Sequence, residues 1–302
     1  MTEGHSWVWV LGAAQPVLPQ DASVSALDRG FVQGEALYET MRTYHARPFA
    51  TQEHLGRLLR GAEAWGFPPF DTGGLEDALE DLAARRAPLE SAFRITLSRG
   101  APHPWAPEED LSDPSWVIFS GHLPAHVSAY YERGVRCIVA SRVRWNPGGY
   151  IPAVKFTGNP EILLAKREAR AAGAFEAILL NSSGLVAEGA SSNIFLVKNR
   201  RLITPSLETG ILDGVTRAMV LDLARKRGIS VEERDVAAWE LLQAEEVFLT
   251  STLKEVIPVV EISGAPVGRG EPGAITDHLL GAYQERCLES CTKGEELEVA
   301  GA

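Results

Sequence analysis

The sequence predicts a mixed α/β fold of the α+β kind rather than a regular doubly wound sheet. Two observations predict it: many short apolar or alternating segments lie between turn residues, and only a few segments have a helical period. The alternation is clearest in Ala92–Ser98, where Phe93, Ile95 and Leu97 alternate with polar residues. Such a segment is typical of a half-buried strand.

The N-terminal third combines strands with two helices. The predicted strands are Trp7–Val10, Leu37–Tyr44, Ala92–Ser98 and Trp116–Ser120. Thr51 is placed to cap a helix that runs to about Trp65, and Gly66 follows at its end. A second helix is predicted through the apolar positions Leu75, Leu79 and Leu82.

The rest of the chain is predicted to contain short strands and three helices. The predicted strands are Arg136–Ala140, Ala177–Leu180, Leu185–Ala187, Asn193–Val197, Leu202–Thr204, Val247–Thr250 and Val256–Val260. The predicted helices run from Asn159-Pro160 to Gly173, over Thr216–Arg227 and over Ile275–Leu288. We therefore expect a small N-terminal α/β domain over 1–120, a linker over 121–129 and a larger C-terminal domain over 130–302.

Composition narrows the class of protein. The 302 residues (32.7 kDa) carry a formal net charge of −11, which argues against a nucleic-acid partner. No apolar run approaches the roughly 18 residues of a membrane span, and no signal peptide is evident, so we expect a cytoplasmic protein. The three cysteines are expected to be reduced. No metal site is expected, because Pro124 interrupts the helical spacing of His122 and His126.

Three features could carry chemistry. Lys155 ends an apolar strand, where a buried lysine can act as a base, although most such lysines reach solvent. Glu188 is flanked by small residues and on its own also fits a turn. The loop through Gly214 leads into a helix at Thr216, which offers either an anion site or only a capped helix. Together they fit pyridoxal 5'-phosphate, which requires a lysine for its aldehyde, an acid for its ring nitrogen and a cradle for its phosphate.

At these positions the sequence resembles the class IV (fold type IV) pyridoxal-phosphate enzymes. That family includes branched-chain aminotransferases, D-amino acid aminotransferases and 4-amino-4-deoxychorismate lyases. The matching residues, in chain order, are Glu188, Ala190, Asn193-Ile194-Phe195, Thr204 and Gly214-Val215-Thr216-Arg217. The resemblance extends from about Asp28 to about Tyr283. It implies a small N-terminal α/β domain, a larger C-terminal pseudo-barrel domain, an active site between them and a homodimer.

The resemblance also implies roles for individual residues. Lys155 is implied to be the Schiff-base lysine and proton shuttle, and Glu188 the partner of the pyridine nitrogen. Leu212 is implied to pack against the cofactor ring. The implied phosphate ligands are Arg57, Val215, Thr216 and Thr252, with Ser251 beside Thr252. The tyrosine that many members carry shortly after the lysine is absent from Phe156–Pro160, and Tyr150 is a candidate replacement.

Fewer residues indicate which reaction of the family the chain catalyses than indicate the family itself. Thr40, in Tyr38-Glu39-Thr40-Met41-Arg42, stands where the lyases tend to carry threonine and branched-chain aminotransferases glycine. The segment Thr204–Leu212 also most resembles that of bacterial lyases and their unassigned relatives. We therefore expect an aminodeoxychorismate lyase that releases pyruvate and forms 4-aminobenzoate for folate synthesis, with Thr40 in a catalytic role. Tyr38, Arg42 and Arg99 are candidate substrate residues.

An amino-acid aminotransferase is the alternative, and a branched-chain substrate is favoured over a D-amino acid. The reason is that Ser98-Arg99-Gly100 lacks the following Arg-x-His that binds the substrate carboxylate in D-amino acid aminotransferases, although His103 could partly substitute. A non-catalytic cofactor carrier is a third possibility. The intact pair of Lys155 and Glu188 argues against it.

Overall fold

The computed structural model describes residues 5–101, 114–123, 127–143 and 154–293. The chain divides into two compact units. Unit 1 comprises Met1–Pro124, Val154–Gly158 and Cys287–Ala302, and unit 2 comprises Ala125–Ala153 and Asn159–Arg286. The domain boundaries expected from the sequence stay a prediction. The compact units differ from them in placing Lys155 with the N-terminal residues.

Unit 1 is built on a five-stranded antiparallel sheet. Its elements are β1 (Trp7–Val10), α1 (Arg29–Val32), β2 (Ala36–Tyr44), β3 (Arg47–Pro48), α2 (Thr51–Ala64), α3 (Gly73–Arg86), β4 (Ser91–Ser98) and β5 (Ser115–His122). The strand order is β1-β5-β4-β2-β3. Apolar side chains of β2, β4, α2 and α3 form one buried core, as the alternation and the helical period predict.

The short segment that carries Lys155 belongs to the same unit. Phe156 forms a bridge with Leu37 of β2, and its ring stacks on Trp65 with the ring centroids 4.5 Å apart. The Tyr38 N–H donates to the Lys155 carbonyl oxygen at 2.8 Å. These contacts place the backbone of Lys155 directly beside β2.

Unit 2 contains a nine-stranded mixed sheet. Its elements are α4 (Val127–Arg133), β6 (Val135–Val143), α5 (Pro160–Ala171), β7 (Glu176–Leu180), β8 (Val186–Gly189), β9 (Asn193–Lys198), β10 (Arg201–Thr204), α6 (Val215–Lys226), β11 (Val231–Glu233), β12 (Glu246–Ser251), β13 (Glu255–Ile262), β14 (Ala265–Pro266) and α7 (Ala274–Lys293), whose last turns belong to unit 1. The order is β11-β10-β9-β12-β13-β6-β7-β8, and β14 pairs with β13. The buried apolar positions of these strands form its main core.

The predicted strands and helices are confirmed, with differences at their ends. Helix α2 begins at Thr51 itself, and the capping position is Ala50, whose left-handed backbone (φ 56°) turns the chain into the helix. Asn159 does occupy the capping position of α5. Strand β5 extends to His122 and α4 begins at Val127, so regular structure reaches into the segment expected to be a linker.

Among the described residues, no helix is long and apolar enough to cross a membrane. Nor does that part of the chain bring together three or more His, Cys, Asp or Glu side chains that could hold a metal ion. Cys137, Cys287 and Cys291 are buried thiols.

Candidate active site

Lys155 and Tyr38 are neighbours in unit 1. Lys155 is half-buried, and its Nζ lies 5.1 Å from the centroid of the Tyr38 ring. The guanidinium of Arg94 lies over the same ring, 3.4 Å from its centroid. The ring therefore has two cationic side chains beside it.

Glu39, the next residue of β2, faces the opposite way and is fully enclosed. Its Oε1 accepts from Arg57 Nε at 2.7 Å, and its Oε2 accepts from Arg57 Nη2 at 2.8 Å. His54 Nδ1 lies 2.9 Å from the same Oε2. Glu39 and His54 are each 1% exposed, and the Arg57 side chain is 10% exposed. The cluster thus fixes a phosphate-ligand candidate, Arg57, through two residues that the sequence analysis did not single out.

The charges of this cluster follow from its contacts. Burial alone would raise the pKa of Glu39, but the Arg57 charge and the hydrogen bonds from His54 and Arg57 outweigh it and hold the pKa well below its usual range. Burial lowers the pKa of His54, and the Arg57 and Lys155 charges add to this against the opposing effect of Glu39. A carboxylate, a guanidinium and an uncharged imidazole are therefore the stable combination at neutral pH.

The candidate substrate residues occupy different surroundings. Thr40 pairs with Arg94 across β2 and β4, so both side chains lie on the sheet face that also carries Tyr38. Arg42 lies over the Tyr44 ring, 4.1 Å from its centroid. Arg99 donates to the Gly66 carbonyl oxygen at 3.1 Å, at the end of α2. The structure therefore groups Thr40 and Tyr38 with Arg94, which sequence reasoning missed.

In unit 2 the loop before α6 wraps around Glu188. The Leu212 N–H donates to Glu188 Oε2 at 2.9 Å. Asn193 Nδ2 donates to the Leu212 carbonyl oxygen at 2.9 Å and approaches the same Oε2 at 3.4 Å. Gly214 is required here, because a Cβ at this position would lie 2.0 Å from Asn193 Oδ1. Glu188 is 5% exposed, so the acid is held in one orientation.

Arg217, in the first turn of α6, and Thr204, at the end of β10, are two further residues of the motif. Arg217 donates from Nη2 to the Pro205 carbonyl oxygen at 2.9 Å and to Glu233 at 2.7 Å. The Thr204 hydroxyl donates to the Ile194 carbonyl oxygen at 2.8 Å. Val215 and Thr216 are the first two residues of the helix, where backbone N–H groups have no partner within the helix. The arrangement suits an anion such as a phosphate.

Ser251 and Thr252 lie where β12 turns into β13. The Lys254 N–H donates to the Ser251 carbonyl oxygen at 3.3 Å, which closes the turn. Glu255 follows in a left-handed conformation (φ 55°), and its carboxylate accepts from the Tyr131 hydroxyl at 2.9 Å and from Gln284 Nε2 at 2.7 Å. Both hydroxyl residues are half-buried, which leaves them accessible to a ligand.

Each unit, taken by itself, contains groups that fit pyridoxal 5'-phosphate. Unit 1 contains a lysine and an arginine, and unit 2 contains a buried acid, a helix N-terminus and a turn with two hydroxyl groups. These are the groups required for the aldehyde, the ring nitrogen and the phosphate. Tyr150 and His103 lie outside the described residues.

Comparison with known proteins identifies the family. The family described as amino-transferase class IV matches residues 36–262. The chain is 33% identical to a D-alanine aminotransferase of Bacillus licheniformis over 90% of this chain and 95% of that protein. It is 36% identical to a protein of Thermotoga maritima named a probable branched-chain-amino-acid aminotransferase, over 82% of this chain and 85% of that protein.

A solved structure agrees with these relatives. The branched-chain aminotransferase from the thermophilic archaeon Thermoproteus uzoniensis, solved with norvaline, superimposes with a TM-score of 0.85 at 30% identity, over 95% of this chain and 96% of that chain. The chain belongs to the class IV aminotransferase family and has its fold, as the sequence resemblance implied. Enzymes of this family use pyridoxal 5'-phosphate. These relatives bear aminotransferase names, so the expected lyase activity is not confirmed, and the aminotransferase alternative fits them better.

Proposed function

We propose that this chain is a pyridoxal-phosphate-dependent amino-acid aminotransferase with branched-chain L-amino acids as its first substrate class. The observation that carries the proposal is the enclosed Glu188 carboxylate, held by Leu212 and Asn193 at the loop that opens α6. A structural turn needs no such enclosed acid, whereas a protonated pyridine nitrogen does. The aminotransferase names of the relatives support the same proposed activity.

Each residue then has a stated task. Bound pyridoxal 5'-phosphate supplies an aldehyde that bonds to amines and a ring that withdraws electrons from the attached carbon. Lys155 Nζ would hold the cofactor through its aldehyde, and the same amine would carry the proton removed from the substrate α-carbon. Glu188 would pair with the ring nitrogen and favour its protonated form, and Leu212 would contact the ring.

The phosphate ligands in this proposal come from three places. Arg57 contributes a guanidinium, which suits a phosphate because it offers several N–H groups in one plane. Val215 and Thr216 contribute the N–H groups at the start of α6, and Thr216 also its hydroxyl. Thr252 contributes a second hydroxyl, with Ser251 beside it.

We assign the substrate carboxylate to Arg94 in place of Arg42 and Arg99. The Arg94 guanidinium and Lys155 Nζ both lie beside the Tyr38 ring, so this cation is close to the same ring as the reactive amine. Arg42 and Arg99 are engaged with the Thr43 and Gly66 carbonyl oxygens respectively. Thr40 of β2 is paired with Arg94 of β4, so it lies next to the proposed binding position of the substrate carboxylate.

Replacing Arg94 by alanine is expected to raise the KM for the amino donor by about 10- to 100-fold, the range of a lost charge-assisted hydrogen bond. Steady-state kinetics with L-leucine as the varied donor measures it. Arg42→Ala and Arg99→Ala are the matched controls and should change KM by less than about threefold. A larger effect of Arg99→Ala than of Arg94→Ala would return the assignment to Arg99.

Substrate class is tested by presenting different donors to one preparation. With 2-oxoglutarate as acceptor, the proposal predicts that L-leucine, L-isoleucine or L-valine gives the highest kcat/KM. D-Alanine is the second candidate, favoured by the 33% identity to a D-alanine aminotransferase. A rate at least tenfold higher with D-alanine than with L-leucine would overturn the branched-chain assignment and leave the aminotransferase assignment intact.

The lyase remains a second candidate function because of Thr40, which lies on the open face of β2 beside Arg94. Aminodeoxychorismate, with no keto-acid acceptor present, distinguishes it. The proposal predicts little or no 4-aminobenzoate compared with the turnover of L-leucine. Efficient formation of 4-aminobenzoate in a preparation that does not transaminate amino acids would establish the lyase instead.

A further inference from the structure

Glu39 is the charged residue that β2 directs to its buried side. Leu37 and Met41, two positions away on either side, belong to the apolar core, so the alternation of the strand turns Glu39 toward that core. A carboxylate in such a place must be fully hydrogen-bonded, because an unpaired buried charge is strongly destabilising. Its partners on α2 are Arg57 and His54.

The pairing of Glu39 with Arg57 is bidentate. Two parallel hydrogen bonds, at 2.7 and 2.8 Å, join the two planar groups and fix the rotation of the guanidinium. The pair uses two of the five N–H groups of Arg57, those on Nε and Nη2. A single ion pair at one atom would hold the charge of Arg57 near Glu39 but would not set the plane of the guanidinium.

His54 holds the carboxylate from another side. Its Nδ1 lies 2.9 Å from Glu39 Oε2, and the Thr40 N–H donates to the same oxygen at 3.3 Å. With the imidazole uncharged, Nδ1 carries the proton and donates it to Glu39. The carboxylate therefore cannot rotate without breaking bonds to both elements, β2 and α2.

We propose that Glu39 and His54 are positioning residues for the cofactor phosphate: His54 orients the Glu39 carboxylate, and Glu39 fixes the Arg57 guanidinium in the plane in which it binds that phosphate. This inference rests on the proposed role of Arg57. Glu39 and His54 are each 1% exposed, so the proposal assigns neither of them a contact with the cofactor. Their effect is to remove the conformational freedom that a long arginine side chain would otherwise lose when the cofactor binds.

The first test replaces Glu39 by aspartate and by glutamine in the full-length protein. Aspartate keeps the charge but is one methylene shorter, so it cannot make both bonds to Arg57. Glutamine keeps the length and loses the charge. Positioning predicts that both variants weaken pyridoxal 5'-phosphate by roughly 3- to 10-fold, the range for one immobilised side chain.

The comparison ligand is pyridoxal without its phosphate. Because the proposed effect acts through Arg57 on the phosphate, the affinity for pyridoxal should stay within about twofold of the wild type in both variants. Absorbance titration after removal of the cofactor measures both ligands, and the melting temperature without cofactor is recorded alongside. Glu240→Gln, which breaks the 2.7 Å ion pair of Glu240 with Arg234, is the matched control.

The outcomes separate three roles for Glu39. Weaker phosphate-dependent binding by both variants supports positioning. Wild-type affinity in Glu39→Asp together with tighter binding in Glu39→Gln would show that only the charge matters, and would overturn the proposal. A lower melting temperature with unchanged ratio of the two affinities would show a purely structural role and would also overturn it.

The role of His54 can be tested by comparing a substitution that keeps its hydrogen bond to Glu39 with one that removes it. Asparagine places an N–H close to the position of the imidazole Nδ1, so His54→Asn should retain cofactor affinity, whereas His54→Leu should weaken it by about the same factor as Glu39→Asp. Equal affinities for the cofactor in the asparagine and leucine variants would remove His54 from the proposal.

Arg57 distinguishes failure of this inference from failure of the proposed function. Arg57→Ala should weaken pyridoxal 5'-phosphate but not pyridoxal, and Glu39→Asp should add nothing in that background. Arg57→Lys serves the same purpose if the alanine variant does not fold. If Arg57 replacement leaves the phosphate preference unchanged, the assigned phosphate ligand is wrong. If Arg57 matters and Glu39 does not, only the positioning inference is wrong.

Discussion

Replacement of Lys155 by alanine is expected to lower kcat for transamination by at least about 10²- to 10⁴-fold, the range of a lost general acid–base group. The reason is that Lys155 is assigned both the bond to the cofactor aldehyde and the transfer of the α-proton. After borohydride reduction, the intact mass of the wild-type chain should increase by one cofactor, while that of Lys155→Ala should not. Steady-state kinetics and mass spectrometry measure the two consequences separately.

A second lysine provides the control for this result. Lys226 forms a surface ion pair with Asp222 on α6, and Lys226→Ala should leave both rate and mass change as in the wild type. Small primary amines added to Lys155→Ala should restore part of the rate, because they can replace the missing proton carrier. Wild-type activity in Lys155→Ala, or cofactor still bonded to it after reduction, would contradict the assignment.

Replacement of Glu188 by glutamine is expected to lower kcat by about 10²- to 10³-fold, the effect of removing one pre-organised electrostatic partner from a reacting group. Glutamine keeps an oxygen for the Leu212 N–H but loses the charge that holds the proton on the ring nitrogen. The cofactor should still bind, because the proposed phosphate ligands are unchanged. Pre-steady-state measurement of the first half-reaction isolates the step affected.

Glu176 is the matched control for Glu188. It is also a buried carboxylate of unit 2, 3% exposed, and it accepts from the Ser191 hydroxyl at 2.7 Å. Glu176→Gln is expected to lower the melting temperature with kcat within about threefold of the wild type. An equal loss of kcat in the two variants would mean that Glu188 acts only through stability.

The longer strands and most of the helices could be predicted because their signals are local, whereas the short elements α1, β3, α4, β11 and β14 were not predicted. Alternation in Ala92–Ser98 and the helical period of Leu75, Leu79 and Leu82 each depend on a few consecutive residues. The candidate residues of unit 2 could be proposed from equally local signals, because Glu188 and Thr216 belong to one sequence motif. The structure adds the reason for the glycine in it, which is the space taken by Asn193.

The candidate residues of unit 1 could be proposed only in part from the sequence. Glu39 and His54 are 15 residues apart, and Glu39 and Arg57 are 18 apart, so their contact depends on how α2 packs on β2. One local signal was present: Glu39 occupies an inward position of an alternating strand. Arg94 gave no such signal, because its importance depends on the register that pairs it with Thr40.

The preference for a lyase shows a different limit. It depended on Thr40 and on the similarity of the segment Thr204–Leu212 to lyases, whereas chemistry on a shared cofactor is decided by the whole set of surrounding groups. The relatives bear aminotransferase names, and in the proposal Arg94, beside Tyr38 and Lys155, is the cation that binds the amino-acid carboxylate. The residue types on which the preference depended do not determine which reaction the enzyme catalyses.

The most direct test of the aminotransferase assignment is a single half-reaction. The purified protein, loaded with pyridoxal 5'-phosphate, is incubated with L-leucine alone and in parallel with D-alanine alone, and the cofactor released on denaturation is identified by mass spectrometry. The assignment predicts stoichiometric conversion to pyridoxamine 5'-phosphate with at least one donor, together with one equivalent of keto acid. Recovery of unchanged pyridoxal 5'-phosphate with every amino acid offered would contradict it.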